Sequence, residues 1–159
     1  MSAPVHLSEQ LAHLLGSFED YARNDFASFE ERFSEDMRRE HRPSGSLNFP
    51  GYDTYVDKTR EQFVARTKTS RQFLFRDDFK ITPIEVVEQD DRVAVLGLHT
   101  ASTQLDIPDL NVEIVLFAWF HRDAGGKIKI TRLIEFLDSA GMNAFSASIA
   151  AKMQPPSSA

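Results

Sequence analysis

The chain has no cysteine in 159 residues. That absence excludes disulfide scaffolds, zinc knuckles and thiol nucleophiles together, and it fits a reducing compartment. No apolar run approaches the ~20 residues that a membrane-spanning helix needs. The N-terminal Met-Ser-Ala-Pro-Val-His has neither the basic nor the apolar region of a signal peptide. A soluble, cytoplasmic protein with no membrane partner is the expectation. A basic excess is missing too. The net charge is -6, and the densest cationic cluster, Arg38-Arg39-Glu40-His41-Arg42, is broken by an acid, which argues against a nucleic-acid partner. No two histidines have ligand spacing, and there is no phosphate-binding glycine loop or nucleophile elbow. A site free of metal and cofactor is the simpler expectation.

What the chain does have is apolar bulk. Thirteen phenylalanines and an apolar share of 42% can fill the core of one domain of this length. That domain is expected over 1–145, followed by a tail over 146–159 that is first helical and then disordered. Residues 7–22 carry Leu7, Leu11, Leu14, Leu15, Phe18 and Tyr21 at helical spacing, with Ser8 as N-cap. Asn24-Asp25 restarts a short helix bearing Phe26, Phe29 and Phe33. A short strand over 36–42 stops at Pro43, and Asp53 caps a third helix over 53–68.

Everything after that helix reads as strand. The segments are 72–81, Ile84–Glu88 behind the kink at Pro83, Arg92–Thr103 after the Asp90-Asp91 turn, Val112–His121 and 127–137. Asp123–Gly126 is hairpin chemistry, and an alanine-rich helix covers 140–152. Helices followed by antiparallel strands mean an α+β fold. A long sheet curved around three N-terminal helices forms a cone-shaped barrel with an internal pocket, a common small-molecule site.

Parity along the strands selects the candidate residues. In the last strand Glu135 shares a face with Thr131, Leu133 and Leu137, while Ile128, Ile130, Arg132, Ile134 and Phe136 face away. A carboxyl between two leucines loses hydration. Its pKa is expected to rise, as a general acid or poised base near neutrality requires. The competing reading is a surface carboxylate paired to Arg or Lys. Met37, Arg39 and His41 share one face of the first strand, and a bulge would put Arg38 in place of Arg39. An Arg and a His on a pocket wall can orient a carbonyl, stabilise an oxyanion or shuttle a proton. The alternative is a solvated basic patch.

His99, mid-strand, is either a satisfied core residue or part of a proton path. Glu113, alone in an apolar strand, needs a partner, a pocket or an interface. Trp119, Tyr52 and Tyr55 are candidate pocket walls or plain core. The apolar outer faces of strands 112–121 and 127–137 suggest a homodimer.

Three segments carry a family resemblance. They are Arg39 through Pro43-Ser44-Gly45-Ser46-Leu47, then Val112-Glu113-Ile114, and Gly126-Lys127-Ile128 through Glu135-Phe136-Leu137-Asp138-Ser139. Together they resemble the SnoaL-like branch of the nuclear-transport-factor-2-like superfamily, especially small fungal members that reshape polyketide, meroterpenoid or alkaloid intermediates. The resemblance covers about 8 to 145, and it implies a cofactor-independent cyclase or isomerase in secondary-metabolite biosynthesis. Glu135 would be the acid/base, assisted by a basic residue of the first strand, and a hydrophobic small molecule would be the substrate. Dehydration, epoxide opening or a non-catalytic binding and dimerisation role are the alternatives within the same fold. This chain has Leu110 and Ile114 where some relatives carry tyrosines on the fourth strand.

Overall fold

The computed structural model describes residues 8–42 and 56–153. Among the described residues, four helices and six strands follow one another as α1 (Glu9–Ala22), α2 (Phe26–Glu31), β1 (Phe33–Arg42), β2 (Val56–Asp57), α3 (Arg60–Phe73), β3 (Lys80–Gln89), β4 (Arg92–Ala101), β5 (Leu110–Arg122), β6 (Ile128–Leu137) and α4 (Ser139–Met153). The strands form one sheet in the order β2-β1-β6-β5-β4-β3. All neighbours pair antiparallel except β1 and β6, which run parallel. The fold is α+β with a curved sheet, as the sequence implies, but the sheet stays open, with β2 and β3 as its edges.

Local chemistry explains where the elements begin. The Ser8 side chain accepts from Leu11 N and caps α1, and Asp25 does the same for α2 through Ser28 N. Between them Asn24 takes φ 61°, a left-handed conformation that asparagine tolerates better than most residues. Gly16 sits mid-helix where a Cβ would come within 2.7 Å of the Arg32 guanidinium. Its bareness lets Arg32 cross α1 to reach the buried Asp20 at 2.5 Å.

Three boundaries differ from expectation. Phe33 opens β1 rather than ending a helix, because α2 stops at Glu31. The third helix starts at Arg60, where Thr59 accepts from Gln62 N. Val56 and Asp57, expected inside that helix, form β2 instead. The same helix runs on to Phe73, so the strand expected over 72–81 begins only at Lys80.

Periodicity in the later strands holds well. In β5, Val112, Ile114, Leu116, Ala118 and Phe120 are buried, while residues between them are half-buried or exposed. In β4 the buried set is Val93, Val95, Gly97, His99 and Ala101. A register shift between Pro83 and Glu85 marks the expected kink in β3. One irregularity breaks the parity of β6. Phe120 pairs with Ile130 and Trp119 with Arg132, which leaves Thr131 as an extra residue. The bulge turns Ile130, expected outside, into the core at 0% exposure.

Phe29, Phe33, Phe63, Leu14, Leu116 and Leu133 are among the residues that fill the space between helices and sheet, each buried phenylalanine contributing roughly 1.5–3 kcal/mol. The β5–β6 turn closes through Asp123 Oδ1, which accepts from Gly125 N and Lys127 N at 2.9 Å each. Gly126 there has φ 80°, so Gly125-Gly126 is hairpin chemistry as expected. No helix among the described residues is long and apolar enough to cross a membrane.

Candidate functional site

The concave face of the sheet and the helices enclose a cavity of about 130 Å³. Aromatic and aliphatic side chains make most of its wall, among them Phe18, Phe63, Phe75, Phe79, Leu110 and Ile114. The last helix closes one side with Met142, Phe145, Ser146 and Ile149, and Phe145 stacks on Phe75 at 6.1 Å and 5°. Among the described residues, four side chains with a charge or an imidazole face in: Arg39, His41, His99 and Glu135.

Register explains why these four meet. The parallel pairing of β1 with β6 sets His41 beside Glu135 and Arg39 beside Leu133, and alternation points Met37, Arg39 and His41 to the same side. Arg39 grips the Glu135 carboxylate with both arms of its fork, Nε to Oε1 at 3.0 Å and Nη2 to Oε2 at 2.7 Å. Such bidentate pairs are among the strong hydrogen bonds of proteins. His41 Nε2 lies 3.2 Å from Glu135 Oε2. The guanidinium also stands 5.0 Å above the Phe63 ring, which fixes its plane.

A second carboxylate stands behind this pair. Asp57 on β2 is fully buried, 3.6 Å from Arg39 Nη1 and 3.1 Å from Arg66 Nε. Sequence reasoning missed it, because two residues of strand have no period to read. Burial raises the Asp57 pKa, and the attraction of Arg39 offsets part of that rise. The result is an alternating row of charges, Glu135, Arg39, Asp57 and Arg66, three of them almost dry.

Electrostatics corrects one expectation. Burial by itself would push the Glu135 carboxyl up, as the two flanking leucines suggested. The charge and paired hydrogen bonds of Arg39 outweigh burial, so the carboxyl titrates below its ordinary value. Glu135 is therefore ionised at neutral pH. Both histidines titrate below their ordinary value as well. Burial, reinforced by the Arg39 charge, lowers His41 to about 3 and His99 to about 4. At neutral pH each imidazole is uncharged, with one N–H donor and one lone pair.

His99 reaches the cavity from β4 and meets Phe79 edge-on at 4.5 Å between ring centroids. Neither of its ring nitrogens has a hydrogen-bond partner among the described residues. The remaining candidates are elsewhere. Arg38 is exposed on the outer side of β1 and Arg39 lines the cavity, because the register shift of β1 lies before Arg38 and 38–42 keep their alternation. Glu113 and Trp119 lie on the outer face of β5, Glu113 exposed and Trp119 beneath Arg132 at 4.9 Å. Neither lines the cavity, and the alternation of β5 carried that information. Tyr52 and Tyr55 lie outside the described residues. No group of three or more His, Asp or Glu able to hold a metal occurs among the described residues.

No protein-family model matches the sequence, and no curated relative matches it. Solved structures do match. TerC, co-crystallised with polyporic acid, is 22% identical, with 90% of this chain and 99% of that one covered and a TM-score of 0.66. An NTF2-like protein of unknown function from Burkholderia pseudomallei is 18% identical, covering 85% and 95% with a TM-score of 0.65. A protein described as a SnoaL-like polyketide cyclase, from Shewanella denitrificans, is 11% identical, covering 94% and 99% with a TM-score of 0.65. The chain has the fold that SnoaL-like and NTF2-like proteins share.

Proposed function

We propose that the protein is a cyclase or isomerase that rearranges a hydrophobic polyketide, terpenoid or alkaloid intermediate by acid/base catalysis, with no cofactor in the step. One observation carries this reading. An ionised carboxylate, Glu135, is held in fixed geometry by Arg39 and touched by His41 at the wall of a mostly apolar cavity. Positioning a reactant against such a group and excluding water are the two contributions that a small pocket makes.

Ionisation of Glu135 fixes the order of its roles. It begins as the base, taking a proton from the substrate, and returns the proton to another position as the acid. Arg39 holds the carboxylate and lowers its basicity, so the substrate proton must be an acidic one, such as a C–H beside a carbonyl. Neutral His41 can donate to or accept from the reacting oxygen without charge separation in the resting state. A fold neighbour described as a SnoaL-like polyketide cyclase supports the reading at the level of reaction class.

The outer face, half-buried and apolar at Phe117, Trp119 and Ile134, fits coverage by a second copy of the chain, so a homodimer belongs to the same reading. The alternative is a binding module whose Glu135 only seats a ligand, and the complete pairing of Glu135 with Arg39 favours it. A panel of polyketide, terpenoid and alkaloid intermediates, assayed for isomeric products by mass spectrometry, separates the two. Glu135→Gln should lower turnover by ~100-fold or more with the circular dichroism spectrum unchanged. Undiminished turnover in that variant would end the catalytic assignment.

A further inference from the structure

Two observations on the cavity wall go beyond the reaction. The first concerns charge. All the Lys and Arg residues of the chain lie within the described residues, since 1–7, 43–55 and 154–159 contain none. Of these cations only Arg39 lines the cavity, and two buried carboxylates already claim its fork, Glu135 at 2.7 Å and Asp57 at 3.6 Å. An incoming anion would meet Glu135 with no cation left to answer it. The helices facing the sheet bring only the hydroxyls of Tyr21, Thr67, Ser70 and Ser146.

The second observation is His99. It is 8% exposed, it lines the cavity, and both ring nitrogens are without a hydrogen bond among the described residues. A buried polar group in that state is unfavourable until something pairs with it. Its imidazole stays neutral well below neutral pH, so it offers an anion a hydrogen bond but no charge. The complementary ligand atom is an uncharged oxygen, a hydroxyl or a carbonyl, set among aromatic walls such as Phe79 and Phe75.

We infer that the cavity selects uncharged aromatic ligands bearing a hydroxyl or carbonyl oxygen that hydrogen-bonds His99, and rejects the corresponding carboxylates. This rests on the reading of the cavity as a substrate site and names the class of molecule it admits. The size agrees with a small ring system, because a cavity of ~150 Å³ admits benzene and this one measures about 130 Å³.

Three probes of matched shape test it by nuclear magnetic resonance titration at neutral pH: 4-ethylphenol, 4-ethyltoluene and 4-ethylbenzoate. The phenol should bind about tenfold or more tightly than the benzoate, and about tenfold more tightly than the toluene, the value of one hydrogen bond. The His99 ring nitrogens should shift only with the phenol. His99→Leu should reduce phenol binding to the level of the toluene, whose own binding serves as the check on folding, and His99→Gln should restore part of the preference. Benzoate binding as tightly as phenol, or a phenol preference that survives His99→Leu, overturns the inference while leaving the cavity a ligand site. Failure of all three probes to bind overturns the site reading itself, and this inference with it.

Discussion

The same two strands, β1 and β6, carry an arginine–glutamate pair on each face of the sheet, and the two pairs could hardly differ more. Inside, Arg39 and Glu135 are 13% and 7% exposed and joined by two hydrogen bonds. Outside, Arg132 reaches Glu40 at 3.0 Å with the arginine 44% and the glutamate 13% exposed, and Glu40 is shared with Arg42, itself 45% exposed, at 2.7 Å. The two strands and the two residue types are the same, with arginine and glutamate exchanged between the strands, and the second pair lies on the other side of the pleat. Burial converts an ordinary surface contact into a group whose ionisation, orientation and partners are all fixed.

The comparison breaks most visibly when one partner is removed. Arg39→Leu leaves Glu135 buried without its cation and should destabilise the fold by about 3–5 kcal/mol in urea denaturation. Arg132→Leu should cost less than about 1 kcal/mol in the same assay. Equal losses would mean that the inner pair is as well solvated as the outer one.

Acid should act on the inner face next. His41 and His99 titrate at about 3 and about 4 in the folded protein, against about 6.5 in the unfolded chain. Between those values the unfolded chain binds protons that the folded one refuses. Stability is therefore complete above about pH 6.5 and falls as pH drops toward 4, by up to about 1.4 kcal/mol per pH unit for each histidine. The depressed carboxyl of Glu135 adds a loss of the same sign at still lower pH. Urea midpoints measured from about pH 7 to about pH 5 should show this slope, and a His41→Gln, His99→Gln double variant should flatten it.

Asp57→Asn sharpens the contrast by removing the second claimant on Arg39 while keeping a polar side chain there. A loss of about 1–3 kcal/mol is expected, smaller than for Arg39→Leu, since Glu135 keeps its cation. A loss as large as that of Arg39→Leu would mean that Asp57 rather than Glu135 anchors the arginine. The smallest effect on the fold belongs to the outer face. Phe136→Glu, at a position 41% exposed, should change monomer stability by less than about 1 kcal/mol. In light scattering it should convert a dimer to a monomer. A wild-type monomer at micromolar concentration would remove the interface from the reading.

How much of this was legible in the sequence depended on period. Met37, Arg39 and His41 on one face, His99 turned inward and Glu135 between leucines all follow from alternation, and the structure places them so. Where period fails, reading fails with it. The bulge at Thr131 moved Ile130 inward, and the two-residue β2 hid Asp57. Asp53 lies outside the described residues, and the Thr59 that caps α3 stands inside the stretch read as helix. The direction of the Glu135 shift needed a distance that no pattern contains, because a guanidinium at 2.7 Å overrules two leucines.

The parallel pairing of β1 with β6 has a consequence for how the protein is made. Arg39 and Glu135 are 96 positions apart, so a chain emerging from the ribosome shows its first strand long before the partner strand exists. Contacts of such separation form slowly and late. Until β6 exists, Arg39 lacks the carboxylate that takes both arms of its fork and His41 lacks its strand neighbour. The docking of a single strand then dries carboxylate, guanidinium and imidazole at once. A nascent or truncated chain should accordingly hold no half-built pocket at all, and the moment of its appearance should coincide with the last cooperative step of folding.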